Sequence, residues 1–62
     1  MGAAWKFAKF VAWLGKQAWK YGKKVPAMVR WAWSHRSTVM RWLERGLTFY
    51  TIAELIYRAI FG

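Results

Sequence analysis

An all-α fold, a compact four-helix bundle held without disulfides, is what the sequence predicts, and three observations lead there. Apolar residues recur at spacings of three and four along the chain, and no stretch alternates with the period of two that a half-buried strand shows. Sparse punctuation at Gly15, Gly22, Pro26, Gly46 and Gly62 cuts that pattern into four segments. Cysteine is absent, so neither a disulfide nor a Cys-based metal site can staple the chain. A single domain of 62 residues must then hold itself by packing. Chains this short bury only about 60% of the surface their unfolded form exposes. Six Trp, four Phe and three Tyr, each burying about 150–250 Å², supply the compensating area.

The first helix is predicted over residues 3–21. At about 100° per residue, Phe7, Phe10, Val11, Leu14, Ala18 and Tyr21 fall in one narrow arc. Lys6, Lys9, Lys16, Lys20 and Lys23 lie opposite, and Trp13 fills the one gap in that stripe. Trp5 and Trp19 sit on the flank between the two faces. Gly15 weakens the helix by about 1 kcal/mol without ending it, and Gly22 suits the position just past its C-terminus. The second helix spans residues 26–35. Pro26 opens it, where a missing N–H costs nothing, and Val25, Met28, Val29, Ala32 and Trp33 share its apolar side. The third covers residues 38–45, with Ser37 as N-cap and Gly46 beyond its end. Its Val39, Met40 and Leu43 face inward, and Arg41, Trp42 and Arg45 face outward. The fourth runs over residues 48–61 on a stripe of Phe49, Ile52, Ala53, Ile56 and Ile60. Thr51 and Glu54 have the spacing of a capping box there.

The charge is more informative than the fold. The net charge is +9 and the isoelectric point about 10.8. A surplus this large destabilises the compact state by self-repulsion, so it implies an anionic partner. All six Lys lie between Lys6 and Lys24, all five Arg between Arg30 and Arg58, and Glu44 and Glu54 are the only acids. That poverty of acids argues against catalysis, because general acid–base work needs two titratable groups converging on one site. Ser37 beside His35 is explained as a cap, and His35 as a helix C-terminal residue near the last carbonyls. No phosphate loop, dinucleotide fingerprint or metal-ligand spacing occurs, so no cofactor is expected and the chain is not expected to be an enzyme. No stretch reaches the ~20 apolar residues of a membrane span, and the opening Met1-Gly2-Ala3-Ala4 lacks the features of a secretion signal.

An acid-free lysine face with Trp set in it departs from the mixed-sign surface that merely keeps a protein soluble. Basic amphipathic helices read as membrane-surface binders, and Trp favours the headgroup region. The residues expected to contact an anionic membrane are Lys6, Lys9, Trp13, Lys16, Lys20, Lys23, Lys24, Arg30, Trp31, Arg41, Trp42 and Arg45. Trp33 is expected in the core. The rival reading is a small basic nucleic-acid-binding protein, since bases also stack on aromatics interleaved with cations. Against it, Gln17 is the one side-chain amide in the chain, and base readout depends on such amides.

Several motifs follow one another in a particular order. They are Lys20-Tyr21-Gly22-Lys23-Lys24-Val25, then Trp31-Ala32-Trp33-Ser34-His35-Arg36, then Val39-Met40-Arg41-Trp42-Leu43 with Gly46. The chain ends in Ala53-Glu54-Leu55-Ile56-Tyr57-Arg58-Ala59-Ile60-Phe61-Gly62. In this order, from Lys20 onward, the chain resembles the leaderless bacteriocins of the aureocin and lacticin Q type. The resemblance implies a saposin-like four-helix bundle, secretion without a signal peptide, and killing of Gram-positive bacteria by permeabilising their anionic phospholipid membrane. It implies no protein receptor and no nucleic-acid partner, and it is compatible with self-association on the membrane. The chain departs from the family in its longer first helix, in Glu44-Arg45 before the glycine, and in a last helix whose one basic residue is Arg58. Docking is therefore expected through the lysine-rich first helix.

Overall fold

A computed structural model describes residues 3–62, so Met1 and Gly2, part of the stretch read for a secretion signal, lie outside the described residues. The chain is all-α: α1 (Ala3–Gly15), a single turn α2 (Ala18–Tyr21), a 3-10 turn (Gly22–Lys24), α3 (Val25–Ser34), α4 (Arg36–Glu44) and α5 (Phe49–Phe61). The four long helices form the predicted bundle. Helix α1 is its hub and packs on α3, α4 and α5, while α3 also packs on α5 and, more lightly, on α4.

The core follows from the apolar stripes. Phe7, Phe10 and Leu14 of α1 meet Met28 and Ala32 of α3, Val39 and Leu43 of α4, and Ile52, Ala53 and Ile56 of α5. All ten are buried, and along each helix they recur at three- or four-residue steps, with Ile52 and Ala53 of α5 side by side. At about 1.5–3 kcal/mol for fully burying a large aliphatic or Phe side chain, this cluster is the main force holding the bundle. The turn α2 has no fully buried residue, and its Tyr21 is half-buried against the core.

Three predicted helix boundaries are corrected. The first helix does not run through to Tyr21. Lys16 N–H donates to the Trp13 carbonyl and Gln17 N–H to the Leu14 carbonyl, both at 3.0 Å, and these tight i→i−3 bonds close α1 early. Gly15, the poorest helix former in the stretch, stands at the break, and Gln17 turns inward, 7% exposed. The apolar period continues across the break, which is why periodicity alone reads one helix.

The second and third helices meet at a single residue. His35 (φ −119°, ψ 37°) donates its N–H to the Trp31 carbonyl at 2.9 Å and accepts from Val39 N–H at 3.1 Å. It ends α3 and begins α4, so Ser37 lies inside the first turn of α4 and is not its cap. At the other end of α4 the expectation holds. Gly46 (φ 87°) donates to the Leu43 carbonyl at 3.0 Å and Leu47 N–H to the Trp42 carbonyl at 3.2 Å, which together make a Schellman motif. Helix α5 starts at Phe49, capped one turn earlier than the Thr51–Glu54 box. Thr48, extended at ψ 160°, accepts from Thr51 N–H through its side chain.

Candidate functional site

The basic residues expected at the surface are there. Lys6, Lys9, Lys16, Lys20, Lys23, Lys24, Arg30, Arg41 and Arg45 are all exposed, as the cost of burying an unpaired charge demands. The stripe is divided, however. Lys6 and Lys9 stand on α1 and Lys16 in the turn that closes it, whereas Lys20, Lys23 and Lys24 follow the break.

The tryptophans exchange places. Trp13, Trp31 and Trp42, expected among the exposed cations, are half-buried and packed against the core. Helix α5 crosses α1 at Trp13, whose ring lies 5.6 Å from Phe49, 5.2 Å from Tyr50 and 6.1 Å from Phe10, centroid to centroid. Trp31 stacks with His35, at 4.0 Å and 16°, and with Trp42 of α4, at 6.2 Å and 11°. Trp33, expected in the core, is 51% exposed. It meets Phe7 in a T-shaped contact, centroids 5.0 Å apart at 81°. Trp5 and Trp19 are 57% and 78% exposed. The solvent-facing indoles are thus Trp5, Trp19 and Trp33. An indole spans enough distance to reach round a helix flank, so the neighbouring helix decides which flank it takes.

Sequence reasoning also missed how the cations are held. Lys9 Nζ sits 5.3 Å from the Trp5 ring centroid one turn earlier. Lys20 Nζ lies 5.0 Å from Tyr50 and 5.6 Å from Tyr21. Lys24 Nζ lies 4.8 Å from Tyr57 and 5.2 Å from Phe61, and donates to Tyr57 Oη at 2.6 Å. Cations within about 6 Å of a ring centroid are attracted to its face, by about 0.5–1 kcal/mol at exposed sites. The last helix, poor in charge, therefore supplies rings to lysines of α2 and the 3-10 turn. Tyr50, Tyr57 and Phe61 stand seven and four residues apart on α5, a helical-face spacing that was visible in the sequence.

Two shallow grooves flank this surface. One is lined by Lys20, Tyr21, Glu54, Tyr57 and Arg58. The other is lined by Ala27, Arg30, Trp31, Ser34, His35 and Ile60. In the second, His35 Nδ1 lies 3.0 Å from the Trp31 carbonyl, a hydrogen bond when Nδ1 carries the proton. Gln17 is buried, so the one side-chain amide is withdrawn from the surface. Among the described residues no helix is long and apolar enough to cross a membrane, and no three acidic or His side chains gather as a metal site would need. Comparison with protein-family models, with curated proteins and with solved structures finds no match to this chain.

Proposed function

We propose that this protein binds anionic bacterial membranes and permeabilises them, acting as a secreted antimicrobial peptide of the leaderless bacteriocin kind that its motifs resemble. The observation that carries the reading is an exposed lysine surface without a carboxylate before Glu44, combined with exposed Trp5, Trp19 and Trp33. Each cation near an anionic leaflet contributes about 1 kcal/mol of attraction, and indoles settle at the headgroup level. Binding does the work in this reading, without catalysis, a cofactor or a protein receptor.

Size bears on the mechanism. The bundle measures 31 × 21 × 18 Å over its Cα atoms, against a hydrocarbon core of about 30 Å. Lying flat, one copy reaches through little more than one leaflet. Perforation then requires the helices to part and lay their apolar faces in the interface, as amphipathic helices do. A bundle whose α2 has no fully buried residue and whose helices meet through a small core can open at modest cost. Several copies acting together would thin the bilayer.

Nucleic-acid binding is the second reading, favoured by the interleaving of Lys20 and Lys24 with tyrosines. The burial of Gln17 leaves it without an amide for base readout. One paired experiment separates the two. Dye release from vesicles of phosphatidylglycerol and of phosphatidylcholine is measured alongside tryptophan emission with vesicles or with oligonucleotides. Strong leakage and a blue shift with the anionic vesicles alone are expected. Equal leakage from both vesicle types would remove the electrostatic step, and a spectral response only to oligonucleotides would reverse the assignment.

A further inference from the structure

Along one edge of the bundle two ammonium groups rest on a row of rings. Tyr50, Tyr57 and Phe61 line one face of α5, and Lys20 and Lys24, from α2 and the 3-10 turn, lie over them. Tyr21 joins the row at 5.9 Å from Tyr57, and Tyr57 lies 5.0 Å from Phe61. Lys24 spends one of its three N–H donors on Tyr57 Oη, leaving two free, and Tyr57, whose oxygen accepts that bond, keeps its own proton to donate. Arg58 lines the same groove as Lys20, Tyr21 and Tyr57, together with Glu54, whose one negative charge is outnumbered there by Lys20 and Arg58.

Such an arrangement distinguishes between lipid headgroups. A phosphodiester finds ammonium, guanidinium and phenol donors held in place by the rings, so little side-chain freedom is lost when it binds. A choline headgroup would bring its quaternary ammonium to such rings, and here Lys20 and Lys24 already stand 5.0 Å from Tyr50, 4.8 Å from Tyr57 and 5.2 Å from Phe61, so a second cation meets like charge. Resting on the membrane reading above, we infer that the Lys20–Lys24 edge is the headgroup-recognition surface. It accepts the phosphate of an anionic phospholipid and, because its rings already carry cations, disfavours the choline of phosphatidylcholine. The C-terminal helix thus takes part in docking through its tyrosines and Arg58.

The test compares two double variants of equal charge, Lys20→Gln/Lys24→Gln and Lys6→Gln/Lys16→Gln, in co-sedimentation with vesicles of pure phosphatidylglycerol or pure phosphatidylcholine. Helicity is checked for each by circular dichroism. Wild type is expected to prefer phosphatidylglycerol. The Lys20/Lys24 pair is expected to lose more of that binding than the control pair, and to gain affinity for phosphatidylcholine by about fivefold as the competing cations leave the rings. The control pair should gain none. Lys20→Arg/Lys24→Arg, which keeps a cation over each ring, should retain the wild-type preference. If the glutamine pair loses helicity, Lys20→Met/Lys24→Met, which retains the apolar stems, takes its place with the same outcomes. Two double variants that behave alike, with wild type still binding phosphatidylglycerol, would overturn this inference and leave the membrane reading standing. Wild-type protein that ignores phosphatidylglycerol vesicles, or binds oligothymidylate in their place, would overturn both.

Discussion

The indole of Trp31 lies nearly parallel to that of Trp42, 11° between planes and 6.2 Å between centroids, and so ties α3 to α4 across the junction at His35. The His35 ring stacks on Trp31 at 4.0 Å. Offset stacking adds about 0.5–1.5 kcal/mol per pair beyond the area buried. Removing a core Trp costs about 3–5 kcal/mol, and Trp31 is half-buried. Trp31→Ala is therefore expected to destabilise the fold by about 2–3 kcal/mol, measured as a drop in the urea midpoint with an unchanged slope. Destabilisation under 0.5 kcal/mol would mean that the stack does not hold the helices together.

The exposed indoles should behave in the opposite way. Trp19, 78% exposed on a turn with no fully buried residue, is expected to tolerate Ala within about 0.5 kcal/mol. A Trp5→Ala/Trp19→Ala/Trp33→Ala variant should keep its helicity and lose most of its leakage activity on phosphatidylglycerol vesicles. The matching variant at Trp13, Trp31 and Trp42 should lose its fold first, seen as lost helicity before any vesicle is added. A folded triple variant at Trp5, Trp19 and Trp33 that still lyses vesicles at the wild-type rate would show that these indoles do not anchor the protein.

These contrasts mark what the sequence could reveal. Each lysine and arginine named at the surface is exposed, because the penalty for burying an unpaired cation leaves it no alternative. The aliphatic core residues were legible for the complementary reason. An indole is apolar, large and capable of one hydrogen bond, so the wheel angle alone does not decide its side. Trp13 went inward because Phe49 and Tyr50 of α5 arrive beside it, and that approach is a tertiary fact. The break at Lys16–Gln17 was hidden because the apolar period runs unbroken across it. The ring row of α5 was visible as spacing, but a search guided by charge passes over uncharged tyrosines.

Gln17 is a stored weakness. It is 7% exposed, its Nε2 makes one long bond of 3.4 Å to the Trp13 carbonyl, and its Oε1 has no partner among the described residues. An unsatisfied buried acceptor costs about 1–3 kcal/mol, and replacing it with an apolar group of similar shape removes that cost. Gln17→Met is expected to raise stability by about 1 kcal/mol, read from the urea midpoint. If the bundle must open to permeabilise, the same variant should lyse vesicles more slowly while binding them equally well. A stabilised variant with faster lysis would contradict opening as the limiting event.

One chemical change at two glycines should act with opposite signs. Gly46 closes the Schellman motif at φ 87°, a region that L-residues enter at a cost of roughly 1–2 kcal/mol. Gly15 is not among the positive-φ glycines, and a Cβ added there meets nothing within 4 Å. Gly46→Ala is therefore expected to lower stability by about 1 kcal/mol or more. Gly15→Ala should raise it by about 0.4–1 kcal/mol, by restricting the unfolded chain at a site the folded chain can accept. For a domain of this size 1 kcal/mol moves Tm by about 4–8 °C, so thermal melts of the two variants should fall on either side of wild type. Gly15 also stands at the break between α1 and α2, so a second outcome follows. If alanine there joins the two into one longer helix, helicity rises along with Tm. If the break is fixed by the burial of Gln17, Tm rises and helicity stays where it is.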